Sequence, residues 1–588
     1  MPAHPSTPDD RSDTSRPPVS AGAPAGDADR ALIDRLSDEY LAEYARLSPI
    51  MASYLGVAGH DDRLDDFTPD GLAEKHALVT RTLHAVPAPA SPDSPAGIAY
   101  EVLTERLGVA RDLYESGWAQ ASLNVIDSPV QNVRMVFDLM PHESDEDVAT
   151  IARRMAAVPR ALRDYRTSLL AAADSGRVVA LRQIDRCAEQ CDTYSGRTAP
   201  DGFFRGLARS LGADQDRGSA LSADLQRAAD AADAAYGELG DFLRAELAPR
   251  APRADAVGRE RYALASREFL GATIDLEETY AWGWHEFLEL ERELRAVAEE
   301  IAPGQGPAGA AAILDEDPTY QVRGQDGLQA WMQDLSDRVL ADVGAHHVTV
   351  APPLRDLRCR IAPPGGPVGA YYTGPSDDLS RPGAMWWSVE QGREVFSTWR
   401  EATVVYHEGV PGHHLQIGTA VCQRESLNDF QRLAADCSGY VEGWALYAER
   451  LMRELGYFDT PGTLLGFLDS QLFRAARVVV DIGMHLELPI PAGTGFHEGE
   501  RWNGELGLEF LLTRTISDPA HCRDEIDRYL GWAGQAPAYK VGERIWLAGR
   551  EAARARHGAA FDLRSFHDRA LRLGGMGLDP LAGRLAAL

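Results

Sequence analysis

Apolar residues recur at helical spacing along most of the chain from about residue 31. In the segment ALIDRLSDEYLAEYARL, one stripe is formed by Leu32, Leu36, Tyr40 and Tyr44, and residues four apart lie on one face of an α-helix. The segment SADLQRAADAADAAYGELGDFLRAEL shows the same periodicity. This pattern predicts a mainly α-helical protein.

The pattern changes between residues 347 and 388, where short β-rich pieces are bounded by Pro and Gly. These pieces are HVTVAPP, LRCRIAPP, GAYYTGP and GAMWWSV, and their β-branched and aromatic residues favour strands. Helical spacing returns after Glu390 and continues to the C-terminus. We therefore predict a small β-sheet that immediately precedes a helix at about residues 393–408.

These patterns divide the chain into three regions. Residues 1–30 are rich in Pro, Ser and Asp and lack an apolar stretch, so we expect a disordered tail and no signal peptide. Residues 31–345 are expected to form a helical region, and residues 346–588 a catalytic region that contains the small sheet. We expect these two regions to pack as one unit with a cleft.

Composition and charge narrow the possible partners. Hydrophobic residues make up 44% of the chain and charged residues 25%, as in soluble globular proteins. The formal net charge of −30 is spread along the sequence, which argues against nucleic acid or an anionic membrane as a partner. No apolar run reaches membrane-spanning length, and we expect a cytoplasmic protein. Six cysteines in 588 residues do not make a disulfide framework, and we interpret Cys187 and Cys191 as core thiols.

The segment TVVYHEGVPGHHLQ carries the strongest chemical signal. His407 and Glu408 resemble the start of the HExxH zinc signature, but Pro411 stands where the second histidine is expected. On a straight helix, His413 lies about 240° around the axis from His407, and His414 lies roughly 10 Å further along it. Neither histidine could then share a zinc ion with His407.

The spacer between the histidines makes a straight helix improbable on physical grounds. Gly409, Pro411 and Gly412 interrupt the helical pattern, because proline lacks a backbone donor and crowds the preceding turn. A bulge that absorbs two residues returns His413 to the ligand position, with His414 as the alternative. The competing interpretation is a helix end with exposed histidines.

Two downstream helices add candidate residues. In DCSGYVEGWALYAERLMRELGY, Glu442 lies on the same helical face as Glu449, and a helix-borne glutamate is a common third zinc ligand. In SQLFRAARVVVDIGMHLEL, a polar stripe is formed by Arg477, Asp481 and His485. Such a stripe on an apolar helix faces solvent or a polar cleft, and we favour the cleft.

Two further segments contain residues that resemble functional ones. Lys75 and Lys540 are the only lysines of the chain, so Lys540 either supplies a point charge that arginine cannot or is retained by chance. Its neighbour Tyr539 is a candidate hydroxyl donor to an oxyanion. The pair His285–Glu286 also resembles a zinc motif, but its surroundings are typical of an amphipathic helix, and we assign it no function.

Taken together, these segments resemble the bacterial family called domain of unknown function 885 (DUF885), which is grouped with the zincin (HExxH-like) metallopeptidase clan. The resemblance extends from about residue 31 to the C-terminus through YHEGVPGHHLQ, EGWALYAE, RVVVDIGMH, GQAPAYKVGE and FDLRSFHDRALRLGGMGLDPL. The GHHL piece is similar to the GHAL of thimet-type and Taq-type zinc peptidases, which aligns His413 with their second ligand. GYVEGW is similar to their third-ligand segment and implies Glu442.

The resemblance implies a large helical zincin-like fold and one Zn²⁺ per chain, held by His407, His413 and Glu442. Glu408 is then the general base of a zinc-dependent hydrolase that cleaves peptide (amide) bonds, with short peptides as substrates. Side chains expected to stabilise the oxyanion or to hold a substrate carboxylate are Tyr539 and, with it, His485 or Arg477. The AMWWSV strand is expected to be the edge with which an extended peptide pairs.

Two other functions remain open from the sequence. One is a metal-dependent amidase that acts on a modified or non-peptide metabolite. The other is a metal-free binding protein that retains the fold. Neither substrate length nor oligomeric state is indicated by the sequence.

Overall fold

Helices form most of the protein, as the sequence predicts, and five short strands are present among the described residues. The computed structural model describes residues 25–213, 219–362, 369–389 and 392–588. The helices before the strands are α1 (Ala25–Leu47), α2 (Pro49–Leu55), α3 (Pro69–Ala85), α4 (Pro95–Glu115), α5 (Pro129–Met135), α6 (Asp145–Asp174), α7 (Leu181–Ser195), α8 (Phe203–Ala213), α9 (Ser219–Phe242), α10 (Arg259–Leu270), α11 (Leu276–Ile301) and α12 (Gly306–Glu316).

The second half of the chain contains the strands and the helices that surround the candidate site. The strands are β1 (Gln321–Arg323), β2 (Arg358–Ile361), β3 (Ala370–Thr373), β4 (Ala384–Trp387) and β5 (Val395–Ser397). The helices are α13 (Gly324–His346), α14 (Thr398–Glu408), α15 (His413–Val421), α16 (Asp429–Leu433), α17 (Ser438–Glu454), α18 (Pro461–Leu486), α19 (Gly504–Arg514), α20 (Pro519–Gly531), α21 (Ala538–His557), α22 (Leu563–Leu571) and α23 (Leu578–Ala587).

Two apolar cores organise these helices, and their division does not follow the predicted boundary between 31–345 and 346–588. The smaller core is built chiefly by α5–α9. The larger core joins α1, α3 and α4 to α10 and the helices that follow it. Helix α11 packs along α18, where a Cβ at Gly283 would lie only 2.7 Å from the Val478 side chain. The early helices thus belong to the same core as the predicted catalytic region.

The N-terminal prediction is partly wrong. Residues 1–24 of the predicted tail 1–30 lie outside the described residues, but helix α1 begins at Ala25. Arg30 bonds to Asp34 at 2.5 Å and to the carbonyl of Pro95 at 2.7 Å. Residues 25–30 therefore form the first part of a packed helix, which the polar composition of this stretch did not reveal.

The small sheet is confirmed, although its strand order differs from the expected one. Strand β4 pairs with β2 in parallel and with β3 in antiparallel orientation, so the AMWW segment is central and not an edge. The edges are β2 and β3. The HVTV piece forms no strand, and residues 395–397 pair with β1 instead of starting the next helix. Helix α14 therefore begins at Thr398.

Helix α18 is the central buried helix of the larger core. It begins with Pro461 after Thr460, whose side chain accepts a hydrogen bond from the Thr463 amide at 3.2 Å, as expected for a helix N-terminus. Its side chains are buried on nearly all faces. It packs against α14 and α11 and thereby carries its polar residues into the interior.

The prediction that Cys187 and Cys191 are core thiols is confirmed. All six cysteines are free, and Cys187 and Cys191 are fully buried in the smaller core. None of the described helices combines the length and the apolar character that a membrane crossing needs.

Candidate metal centre

The break between α14 and α15 brings His413 back to His407. Helix α14 ends at Glu408, and α15 begins at His413 after a cis Val410–Pro411 peptide bond. The Gly412 amide bonds to the carbonyl of Tyr406 at 3.0 Å. A Cβ at Gly412 would lie 1.8 Å from the His407 carbonyl oxygen, so only glycine fits. The two imidazole rings lie 4.8 Å apart.

Helix α17 holds this break in place. Trp444, which is fully buried, donates through Nε1 to the carbonyls of Pro411 at 2.8 Å and Gly412 at 3.1 Å. The same helix offers the carbonyl of Tyr440 to the Gln416 amide at 3.1 Å. The GVPG spacer is therefore a buried turn with defined partners and not a frayed helix end.

Three carboxylates and two imidazoles meet around this turn. Ligand atoms of His407, Glu408 and His413 lie within 4.8 Å of one another, and all three residues are buried. Oε2 of Glu442 lies 3.1 Å from His407 Nε2 and 3.7 Å from His413 Nε2. The residues predicted as metal ligands are thus brought together from α14, α15 and α17.

Glu449, for which the sequence predicts no function, completes the cluster. Oε1 of Glu449 accepts a 2.7 Å hydrogen bond from His407 Nδ1, and Oε2 accepts from Gln471 at 3.0 Å. Glu449 follows Glu442 by two helical turns, so the acidic pair in EGWALYAE was the available signal. A carboxylate on the second nitrogen of a ligating histidine fixes its orientation and tautomer.

His414, the alternative ligand, faces away from His407. Its Nε2 donates to the carbonyl of Leu354 at 2.8 Å, and its Nδ1 accepts from the Tyr372 hydroxyl at 3.0 Å. The side chain is fully buried. Both ring nitrogens are therefore engaged away from His407, because consecutive residues of a helix point in directions about 100° apart.

The protonation of these residues follows from burial and from their partners. Burial lowers the pKa of His413 to about 4, so its imidazole is neutral at pH 7. Burial acts in the same direction on His407, but hydrogen bonds to Glu442 and Glu449 raise its pKa above the ordinary value. Burial raises the pKa of Glu408 to about 7, against the opposing effect of His407.

The cluster opens into a cleft of about 700 Å³ in which Tyr539 and Arg477 also lie. The Tyr539 ring stacks 6.5 Å from the His407 ring, and Cζ of Arg477 lies 4.7 Å from the Tyr539 ring. Arg477 pairs with Glu525 at 3.0 Å. Strand β3 contributes Ala370, Tyr371 and Tyr372 to the wall of the cleft.

His485 does not reach the cleft, which corrects its assignment as a candidate catalytic residue. It is fully buried, donates through Nε2 to the carbonyl of Tyr529 at 3.0 Å and packs against Tyr262. Asp481 is equally buried and accepts from the Tyr262 hydroxyl at 2.6 Å and the Gly534 amide at 3.0 Å. The polar stripe on α18 therefore faces the cleft at Arg477 and the core at its other two positions.

Lys540 is part of a buried ion cluster. Its Nζ bonds to Glu543 at 2.5 Å, to Glu286 at 2.8 Å and to Gln471 at 3.0 Å. Glu286, to which no function was assigned, is thus a structural partner of Lys540. Gln471 also bonds to Glu449. Lys540 is therefore connected to the candidate centre through Gln471.

The chain resembles a bacterial family and two solved structures. The family of bacterial proteins of unknown function, DUF885, matches residues 49–585. A crystal structure described as a "putative lipoprotein" from Colwellia psychrerythraea shares 20% identity at a TM-score of 0.79, over 95% of this chain and 99% of that one. One from Shewanella oneidensis, described as a "putative lipoprotein of unknown function", shares 18% identity at a TM-score of 0.70, over 94% and 99%. The similarities to these two structures show the fold alone. No protein of curated function matches the chain.

Proposed function

The chain belongs to the DUF885 family of bacterial proteins of unknown function, and from that premise we propose that it is a zinc-dependent hydrolase of the zincin type that cleaves peptide (amide) bonds of short peptides. The observation that carries the proposal is the convergence of His407, His413 and Glu442 beside Glu408 in one cleft. Nothing in a helical core requires five ionisable groups at one point, four of them buried, because burying charge without a partner is costly.

The donor set fits a zinc ion. Two imidazoles and a carboxylate are a common zinc ligand set in hydrolases, and His407, His413 and Glu442 would supply them. The Nε2 atom of His413 faces Glu442 at 3.7 Å, and the low pKa of this residue leaves the ring neutral. The bond from His407 to Glu449 matches the carboxylate–histidine pairs found behind zinc ligands.

Glu408 is the general base of the proposed reaction. A bound zinc ion lowers the pKa of water and polarises a carbonyl group. Burial raises the pKa of Glu408, which makes its carboxylate a stronger base that can take a proton from the attacking water and deliver it to the leaving amine. A base with a pKa near the operating pH is best suited to both transfers.

Tyr539 is the proposed hydrogen-bond donor to the carbonyl oxygen. Its ring lies against His407, and no hydrogen bond of the described residues involves its hydroxyl. Burial raises the pKa of this hydroxyl, so it remains protonated and can donate to the oxygen on which negative charge develops.

Strand β3 supports a peptide as the substrate. It is an edge of the three-stranded sheet and lines the cleft, so its free backbone groups can pair with an extended chain. The sequence predicts that the peptide pairs with β4, but β2 and β3 occupy both sides of that strand.

The proposal is tested by metal content and by substrate profiling. We expect about one zinc ion per chain in the purified protein, cleavage of a short-peptide library detected by mass spectrometry, loss of activity with a chelator and its return with Zn²⁺. Cleavage of small acyl amides but not peptides would favour the amidase alternative. Negligible metal together with no cleavage would favour a metal-free binding protein.

A further inference from the structure

Arg474 is the arginine of the cleft that has no carboxylate partner among the described residues. The other cleft arginines, Arg400, Arg477 and Arg528, each lie within 3.4 Å of an aspartate or glutamate oxygen. Arg474 donates through Nη1 to Ser470 Oγ at 2.7 Å, and its buried Nε has no partner. The Nε–Nη2 edge of this guanidinium thus has no partner among the described residues.

Arg477 adds a second unpaired donor one turn further along α18. Its side chain is 9% exposed and is fixed by Glu525 at 3.0 Å and by the Tyr529 hydroxyl at 3.1 Å. Its Nη1 is buried without a hydrogen-bond partner. A buried charged donor without an acceptor destabilises the protein. This unpaired donor therefore favours the binding of an acceptor group in the cleft.

We propose that Arg474, with Arg477 beside it, binds a carboxylate of the substrate. The proposal rests on the proposed hydrolase function and narrows its substrates to peptides with a carboxylate near the cleaved bond. A guanidinium binds a carboxylate through two parallel hydrogen bonds, for which the Nε–Nη2 edge of Arg474 has the matching geometry. The carboxylate belongs either to the C-terminus of the peptide or to an aspartate or glutamate side chain.

The position of the arginines sets how far the carboxylate lies from the cleaved bond. The Tyr539 ring is 6.5 Å from the His407 ring and 4.7 Å from Cζ of Arg477, so His407 and Arg477 are at most about 11 Å apart. An extended peptide advances about 3.3–3.6 Å per residue. A carboxylate held at Arg477 therefore lies at most about three residues from the cleaved bond, and for a C-terminal carboxylate the released product is at most about a tripeptide.

The first test compares three matched peptides with the wild-type protein: a free acid, its C-terminal amide, and the amide with glutamate as the last residue. We expect kcat/KM for a carboxylate peptide to exceed that of the neutral amide by at least about tenfold, as for other hydrogen-bonded charge pairs. Preference for the free acid identifies the C-terminal carboxylate, and preference for the glutamyl amide identifies a side chain. Equal rates for all three peptides would overturn the proposal.

The second test assigns the preference to Arg474. Arg474→Gln should remove most of it, and Arg474→Lys should retain part, because lysine keeps the charge without the planar fork. Arg400→Gln is the matched control, since it removes a cleft charge already paired with Asp469 and should leave the ratio between acid and amide unchanged. A preference that survives Arg474→Gln, or that Arg400→Gln abolishes equally, would contradict the assignment. Circular dichroism and the Tm verify folding, and the wild-type comparison does not depend on the variants.

Binding measurements test the carboxylate site independently of the proposed hydrolase activity. Isothermal titration of the Glu408→Gln variant with the free acid and the amide measures the carboxylate site without turnover. Tighter binding of the free acid, lost when Arg474→Gln is added, supports the site even if the wild type cleaves no peptide. Equal binding of acid and amide, with peptide cleavage by the wild type, would reject the site and leave the hydrolase standing.

Discussion

The Nδ1 atom of His407 donates a 2.7 Å hydrogen bond to Oε1 of Glu449. Glu449 is fully buried, and its other oxygen accepts from Gln471 and Ser470. This bond fixes the His407 ring so that Nε2 faces Glu442 and His413. Core residues on the far side of His407 therefore help to position the candidate centre, together with the residues at the cleft surface.

Replacing Glu408 tests the proposed general base. In Glu408→Gln the side chain keeps its shape but cannot accept a proton, so kcat should fall by a factor of about 10²–10⁴ with little change in KM. Zinc content should match the wild type. Glu442→Gln is the comparison, because loss of a ligand should lower both zinc content and activity. Near-normal turnover by Glu408→Gln would show that the proposed mechanism is wrong.

Replacing His413 and His414 in turn tests which of the two histidines is the zinc ligand. His413→Ala should abolish zinc retention, measured by elemental analysis after gel filtration. His414→Ala should keep zinc but lower the free energy of unfolding by about 1–3 kcal/mol, because buried groups of Leu354 and Tyr372 lose their partner. The opposite pattern of zinc loss would transfer the ligand assignment to His414.

Glu449 is predicted to tune zinc affinity without binding the metal. Glu449→Gln should weaken zinc binding by about 10–100-fold, as expected when the carboxylate behind a ligating histidine is neutralised. Competition with a chromogenic chelator measures the affinity. Glu454→Gln on the same helix is the control, since Glu454 pairs with Arg550 away from the cleft. An unchanged affinity in Glu449→Gln would assign Glu449 to structure alone.

Asp481 is predicted to make stability depend on pH. Burial raises the pKa of this carboxyl to about 7, although hydrogen bonds from Tyr262 and Gly534 oppose the shift, and His485 beside it is neutral because burial lowers its pKa to about 4. An aspartate in an unfolded chain has a pKa of about 3.9. The folded protein thus binds this proton more tightly, so the residue lowers the free energy of unfolding as the pH rises from about 4 to about 7.

The variant Asp481→Asn measures this contribution, because asparagine resembles the protonated carboxyl. Its unfolding free energy, from urea titrations, should match the wild type near pH 4 and exceed it by a few kcal/mol, on the order of the pKa difference, near pH 8. Asp524→Asn, at an exposed position on α20, controls for the loss of one negative charge. A difference between wild type and Asp481→Asn that is the same at both pH values would refute the prediction.

Local pattern in the sequence was sufficient for the elements and for part of the site. Apolar periodicity predicted the helices, and Pro- and Gly-bounded β-rich pieces predicted the small sheet, because both depend on neighbouring residues. The pair His407–Glu408 and the glutamate Glu442 were found by spacing and by resemblance to known motifs. The buried Cys187 and Cys191 also followed from their helical spacing.

Only the tertiary structure decided which side chains meet. The turn at Gly412 packs under Trp444 and so selects His413 over His414. The packing of α17 against α14 adds Glu449, and the insertion of β4 between β2 and β3 moves the free edge to β3. His485 and Arg477 lie eight residues apart on one helix and both bond to α20, yet the first is enclosed in the core and the second lines the cleft. Periodicity fixes the direction of a side chain relative to its own helix, whereas the element that packs against it is set by contacts between residues far apart in sequence.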